Sequence, residues 1–507
     1  MSYPRIASLV VVLTFVLAAT VTAQQENVLD VGMRSQLFVD ASAIYESSHI
    51  SFTPQLGRKA VVNPLLRADQ PWEGWYVTVF AGTVLFDEEA QRFKMWYVCP
   101  GDRAYFDSYV ICYAESRDGL QWDKPLVGTL QAKNGKPHNA VSALHCPSVF
   151  KDLTDPDPTR RYKMICFDVT RGYMAQVSPD GLTWRDQSEK AIMPISYVDD
   201  VVTAFRDRRS GRFVALPKMT TPVFGRLRRT IYLSSSSDFR EWSKPEPSFI
   251  ADRRDDLGSL ARIERVRPLL NYPDNPKVMR TEFYGAGAYS AESCVIGFPW
   301  VFTVNSNVKP GTNQEGPIET QLAVSRDLES WSRPWRTPII PMGGPSDWDR
   351  GMILTASQAI DVRDEVWLYY CGSNYTHGAP ILYGREVEGG KSYTGMIGLA
   401  TWQRDRFVAA EAGEQLGMLT TVPLRFRGNK LELNAATADG GEIRVELLDN
   451  AGQPLAGLAI SEPILGDQLR HSVQFSSKPD LSALSTRPIS IRFHLRNARL
   501  FAFAFRE

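Results

Sequence analysis

From Gly82 onward, apolar residues come in short runs rich in aromatic and branched side chains, separated by turn-forming residues. The runs from Gly82 to Phe86, Phe93 to Tyr97 and Val110 to Ala114 read as three strands closed by a Ser116-Arg-Asp118-Gly-Leu-Gln-Trp122 phrase. Asp118-Gly119 is turn chemistry, since glycine tolerates the positive φ that such turns need. The order then recurs. Ser178, Asp180 and Trp184 close a second group of strands, Ser236, Asp238 and Trp242 a third, and Ser325, Asp327 and Trp331 a fourth. A fifth group, from Ile353 to Phe407, keeps the strand order without the tryptophan. A catalytic group is needed once per site, whereas a turn is needed once per repeat. The four aspartates and four tryptophans are therefore expected to be structural. Five short sheets, none able to cover its own faces, predict an all-β chain with a five-bladed β-propeller.

From Val422 the repeats stop and clean alternation begins, as in Lys430-Leu-Glu-Leu-Asn434, Ile443 to Leu447, Ile489 to Phe493 and Leu500 to Phe505. One-sided burial with turn signals at Asp439-Gly-Gly and Asp449-Asn-Ala-Gly452 predicts a small antiparallel β-sandwich. The expected layout is a signal peptide at 1–23, the propeller at 30–415 and the sandwich at 420–507, with the strand-like Leu37-Phe-Val-Asp40 helping to close the ring.

Composition narrows the function. Lys plus Arg and Asp plus Glu are 57 each in 507 residues, a formal charge of zero that points away from nucleic acid. Arg5, an apolar run from Ile6 to Val21 and a small residue at Ala23 have the three-part form of a secretory signal. The mature chain is thus expected to be secreted or periplasmic, with no membrane attachment after cleavage. Six cysteines are too few for a disulfide framework. Cys99 and Cys112 flank one loop and could pair, although Cys99, Cys166 and Cys371 occupy like places in their groups, as small core residues do. No zinc spacing is present and no cofactor is called for, with a structural calcium left open.

The Ser-x-Asp-x-x-x-Trp groups followed by alternating strands resemble the exported glycoside hydrolases of the five-bladed propeller superfamily. The likeness is to proteins with a glycoside hydrolase family 32 N-terminal, invertase-like domain, and more distantly to the arabinanase-like family 43, over about residues 30 to 507. The resemblance implies a glycosidase with an oligo- or polysaccharide substrate, a non-catalytic carbohydrate-binding propeller or a propeller phosphorylase being the alternatives. The Asn-Asp-Pro, Arg-Asp-Pro and Glu-Cys signatures of the invertase-like enzymes are missing, so no catalytic residue carries over.

Candidates then come from propeller geometry, in which residues at the start of each innermost strand line the central funnel. These are Asp69, Trp72, Glu73 and Trp75; Asn139 and His145; Asp199 and Asp200; Arg280, Glu282 and Tyr284; and Asp347, Asp349 and Arg350. Glycosidic cleavage needs one carboxyl group to protonate the leaving oxygen and another to attack or to activate water. Glu282 is the first choice for general acid, with Asp199 and Asp200 as base or nucleophile and orienting partner. Glu73 is a further catalytic candidate beside aromatic faces of the kind sugars stack on. Asp69, Trp72, His145, Tyr284, Asp349, Arg350 and His377 are the expected substrate contacts. Arg280 and Arg350 keep transfer to phosphate open.

Overall fold

A computed structural model describes residues 28–196, 198–308, 314–379, 394–477 and 480–507, so the expected signal at Met1 to Ala23 lies outside the described residues. The chain is nearly all β, with two short helices, Arg253–Leu257 and Ser259–Arg265, among the described residues.

Five antiparallel sheets follow one another. Sheet I holds Thr78–Asp87, Arg92–Cys99, Val110–Ser116 and Ala140–Ser142. Sheet II begins with His145–Lys151, Tyr162–Asp168 and Gly172–Ser178, and sheet III with Val202–Arg206, Phe213–Val223 and Arg226–Ser236. Sheet IV is built on Arg280–Ser290 and Val295–Val304. Sheet V is built on Met352–Thr355, Glu365–Ser373 and Gly395–Gln403, and a parallel bridge from Ile318 to Met352 links it to sheet IV.

Small and hydroxyl residues on the first strands let the sheets approach closely, and a circuit of hydrogen bonds joins them. Thr83 Oγ1 donates to the Pro147 carbonyl at 3.0 Å, and Ser148 Oγ accepts from Ala204 N at 2.9 Å. Thr203 Oγ1 donates to the Ala286 carbonyl at 2.5 Å, and Ala288 N to the Ser357 carbonyl at 3.0 Å. Ser357 N then donates to the Gly82 carbonyl at 2.8 Å, returning the circuit to sheet I. Glycine at 287 is required here, because a Cβ would lie 2.3 Å from Thr355 Oγ1.

The recurring phrases are turns, each leaning on the preceding sheet. In the second, Asp180 Oδ1 accepts from Leu182 N and Thr183 N at 2.8 Å each and from Ser178 Oγ at 2.9 Å. The other three repeat this pattern. The Gly181 carbonyl accepts the buried Trp96 indole of sheet I at 2.7 Å, and Trp331 packs on Phe249 of sheet III at 4.5 Å. Trp122 meets Tyr369 edge-on and so ties sheet I to sheet V. Burial raises the pKa of each of the four aspartates, but the backbone amides more than offset it, leaving all four below the usual carboxylate range. Asp180→Ala is expected to cost about 1–2 kcal/mol, read as a lower urea midpoint at unchanged slope, without altering ligand binding.

The terminal segments are more interwoven than the sequence suggests. Gln36–Leu37 pairs with Phe503 and Ala502 instead of closing the ring. Sheet V is completed by Arg58–Lys59 pairing with Thr401 and Ala400. Ile44–Ser48, Ser51–Pro54 and Val408–Ala412 also join the eight-stranded C-terminal sheet. In that sheet the expected pairs of short strands merge into two long ones, Lys430–Leu448 and Ser490–Arg506. The break expected at Asp439-Gly-Gly is a bulge between Thr437 and Glu442, which bends the strand without ending it. Buried Leu431, Leu433, Ile443, Val445, Phe493, Leu495 and Phe505 form its core.

Candidate active site

Four of the five sheets and the approach to the third line one cavity of about 310 Å³. Sheet I supplies Thr78 and Phe80, sheet II His145 and Cys146, and the approach to sheet III Asp200. Sheet IV supplies Tyr284, and sheet V Met352, Leu354 and Ser373, followed by His377. Tyr76 and Tyr109, whose hydroxyls lie 2.9 Å apart, add aromatic surface.

Asp200 is set by its backbone. Lys218 N donates to the Val201 carbonyl at 2.8 Å and Asp199 N to the Lys218 carbonyl at 3.0 Å, while the buried Tyr173 hydroxyl lies 2.5 Å from the Val201 carbonyl. Asp199 Oδ1 accepts Asp200 N–H at 2.8 Å. The Asp200 side chain, half exposed to the cavity, is ion-paired with Lys218, whose own side chain is 1% exposed. Burial raises the pKa of Asp200, but the Lys218 ammonium overrides it and holds the carboxyl far below its usual range. Asp200 is thus ionised at any ordinary pH.

The same ammonium lies 3.9 Å from the centroid of the Tyr284 ring, and Arg229 lies 5.4 Å from it. His377 completes this wall. Its Nδ1 is 2.7 Å from the Gln314 carbonyl and its Nε2 is 3.1 Å from the Tyr284 hydroxyl. Burial first, then Arg229, pushes the His377 pKa down to about 4, so the ring is neutral. Burial likewise lowers that of His145, against the pull of Asp200. Burial raises the Cys146 thiol to about 12, which removes it as a nucleophile.

The cavity therefore gathers Asp200, His145, Tyr284 and His377 from the sequence candidates, with Asp199 beside them. The others are placed elsewhere. Glu282 is 1% exposed, held between Arg229 and Arg280, and does not line the cavity. Glu73 is fully buried against Lys124, the Tyr97 hydroxyl and the backbone amides of Asp69 and Gln70. Asp69 faces solvent with Lys124, and the Trp72 indole donates to Asn139 Oδ1 at 2.6 Å in the interior. Asp349 is buried with Lys59 and the Tyr370 hydroxyl, and Arg350 donates to the backbone carbonyls of Asn374 and Pro345. These placements correct the expectation that acidic groups of four sheets meet on the axis. Strand starts carry both pocket residues and the ion pairs that seal one sheet to its neighbour.

Lys218, Tyr76, Tyr109 and Arg229 were not legible as site residues. The one available signal was a lysine in the apolar strand Phe213-Val-Ala-Leu-Pro-Lys218, a position that burial makes costly without a partner. The three cations Lys218, Arg229 and Arg280 are matched by Asp199, Asp200 and Glu282, so this wall carries no net charge.

No family model and no curated protein matches the chain. Among solved structures it is similar to a β-1,2-mannobiose phosphorylase from Listeria innocua, at 13% identity over 70% of this chain and 97% of that one, with a TM-score of 0.41. A glycosyl hydrolase from Bacteroides ovatus aligns at 11% identity over 71% and 96%, also with a TM-score of 0.41. An N-acetylgalactosamine deacetylase from F. plautii, in complex with blood group B trisaccharide, aligns at 11% identity over 74% and 95%, with a TM-score of 0.40.

Proposed function

We propose that the five sheets are blades of a β-propeller, followed by a β-sandwich domain, and that the axial cavity is the active site of an exported glycoside hydrolase. The observation that carries this reading is an ionised carboxylate, Asp200, opening on an aromatic-lined pocket where the five sheets meet. Faces such as Tyr76 and Phe80 suit the apolar side of a sugar ring, while Ser373 and His145 suit its hydroxyls. The balanced charge of the wall fits a neutral sugar. Asp200 acts as base toward water and Asp199 orients it. Export rests on the Met1 to Ala23 pattern. Hydrolysis is favoured over phosphorolysis because Arg280 is spent on Glu282 and Arg350 on carbonyl groups.

One observation favours a second reading, a carbohydrate-binding propeller without catalysis: Asp200 is the single carboxylate among the described cavity-lining residues. A panel of 4-nitrophenyl glycosides and plant and algal oligosaccharides separates the two. Under the enzyme reading the native protein turns over a panel member, and Asp200→Asn loses at least ~10²-fold in kcat with binding retained. Glycan binding that is equal in both proteins, with no turnover in either, sinks it.

A further inference from the structure

A hydrolase with Asp200 as base still needs a proton for the departing oxygen, and no second carboxylate lines the cavity among the described residues. Resting on the proposed glycosidase reading, we infer that the general acid is the phenol of Tyr284.

The hydrogen-bond directions identify the proton. The Gln314 carbonyl can only accept, so the hydrogen of neutral His377 sits on Nδ1. Nε2 is then a lone pair, and the Tyr284 hydroxyl, 3.1 Å away, is the donor to it. His377 therefore holds a phenol proton at the cavity wall, with its own ring fixed by the backbone. The Tyr284 ring meanwhile faces Lys218 at 3.9 Å and Arg229 at 5.4 Å, so the negative charge left by proton donation forms beside two cations. Lys218 also pairs with Asp200, which puts acid and base on one charged network.

The step balances. Water attacks the anomeric carbon and gives a proton to Asp200, and the carbon–oxygen bond to the leaving group breaks. The Tyr284 hydroxyl turns from His377 and protonates the departing oxygen, leaving a phenolate. Proton return from Asp200 through solvent restores the phenol, so one water is consumed and no oxidant or cofactor enters.

Leaving-group dependence tests this. For whichever sugar the native protein cleaves, the methyl or 4-methoxyphenyl glycoside needs an acid, whereas the 2,4-dinitrophenyl glycoside does not. Tyr284→Phe, isosteric and checked by its melting curve, is expected to lose ~10²–10⁴-fold on the first and little on the second, with loss of the alkaline limb of the pH profile. Equal loss on both substrates, or no loss on either, overturns the assignment while leaving Asp200→Asn to report on the base. If the native protein cleaves no glycoside of the panel, the hydrolase reading fails and this inference fails with it.

Discussion

On the proposed glycosidase reading, replacing Lys218 by methionine is expected to shift the acid limb of the pH profile upward and to lower turnover on poor leaving groups. Methionine keeps the length and apolar stem of the side chain and deletes the charge. In the native protein burial alone would raise the Asp200 pKa, and Lys218 is the largest of the groups that overcome it. On that reading Asp200 is the base and works above its own pKa, so a depressed value keeps it ionised far into acid. Without the ammonium, Arg229 and the contact with Asp199 remain, and the group returns toward or above the ordinary carboxylate value. Activity then fails at a higher pH on the acid side. The stability linkage runs the same way. A depressed acid stabilises the fold above its unfolded pKa, and that contribution is lost as pH falls, so the variant also loses less stability on acidification. A kcat/KM profile from pH 3 to 8 that keeps its acid limb in place would rule out control of Asp200 by Lys218. The same substitution removes the cation from the Tyr284 ring, so the loss should be larger on the poor leaving group than on the good one.

The repeat was legible because turns repeat their chemistry. Ser and Asp at fixed offsets encode hydrogen bonds that each turn needs, and the structure uses them alike in all four places, whereas the indole donates to its own turn only at Trp122 and Trp331. The site was legible only in part, for a physical reason. A strand start beside the cavity can point a carboxylate into it, as at Asp200, or sideways into an ion pair between elements, as at Glu282 and Asp349. The two placements have the same sequence appearance. All three meet a cation, and what distinguishes them is enclosure: Asp200 stays half exposed beside Lys218, whereas Glu282 and Asp349 are covered. Glu282 meets Arg229, 53 residues earlier, and Asp349 meets Lys59, 290 residues earlier, and no local pattern announces either pairing. The closure of sheet V was hidden likewise. Arg58–Lys59 has no strand signature, and its two residues pair because Gly395–Gln403 leaves an edge open.

Glu73 shows what the buried placement implies. Glu73→Ala is expected to destabilise the protein by about 3–5 kcal/mol, because it breaks a buried pair by removing one partner. Its carboxylate is fully buried and accepts from the Tyr97 hydroxyl at 2.6 Å and from Asp69 N and Gln70 N at 3.0 Å each. Burial holds the Tyr97 phenol protonated, so it is a donor at all working pH. Lys124 lies 2.7 Å from Glu73, with its side chain 7% exposed. Alanine would leave that ammonium with the solvent-facing Asp69 and the Arg67 carbonyl but no buried counter-charge, and would leave a phenol and two amides without their acceptor. Glu73→Gln keeps an acceptor oxygen for the amides and should recover part of the loss. A glycosidase nucleophile or acid would behave differently: both variants would melt near the native temperature and fail in turnover, glutamine as badly as alanine. The geometry predicts the opposite ordering, a graded loss in melting temperature with kcat retained below the transition, because Glu73 fastens the segment from Asp69 to Trp75 onto sheet I and meets no atom of the cavity.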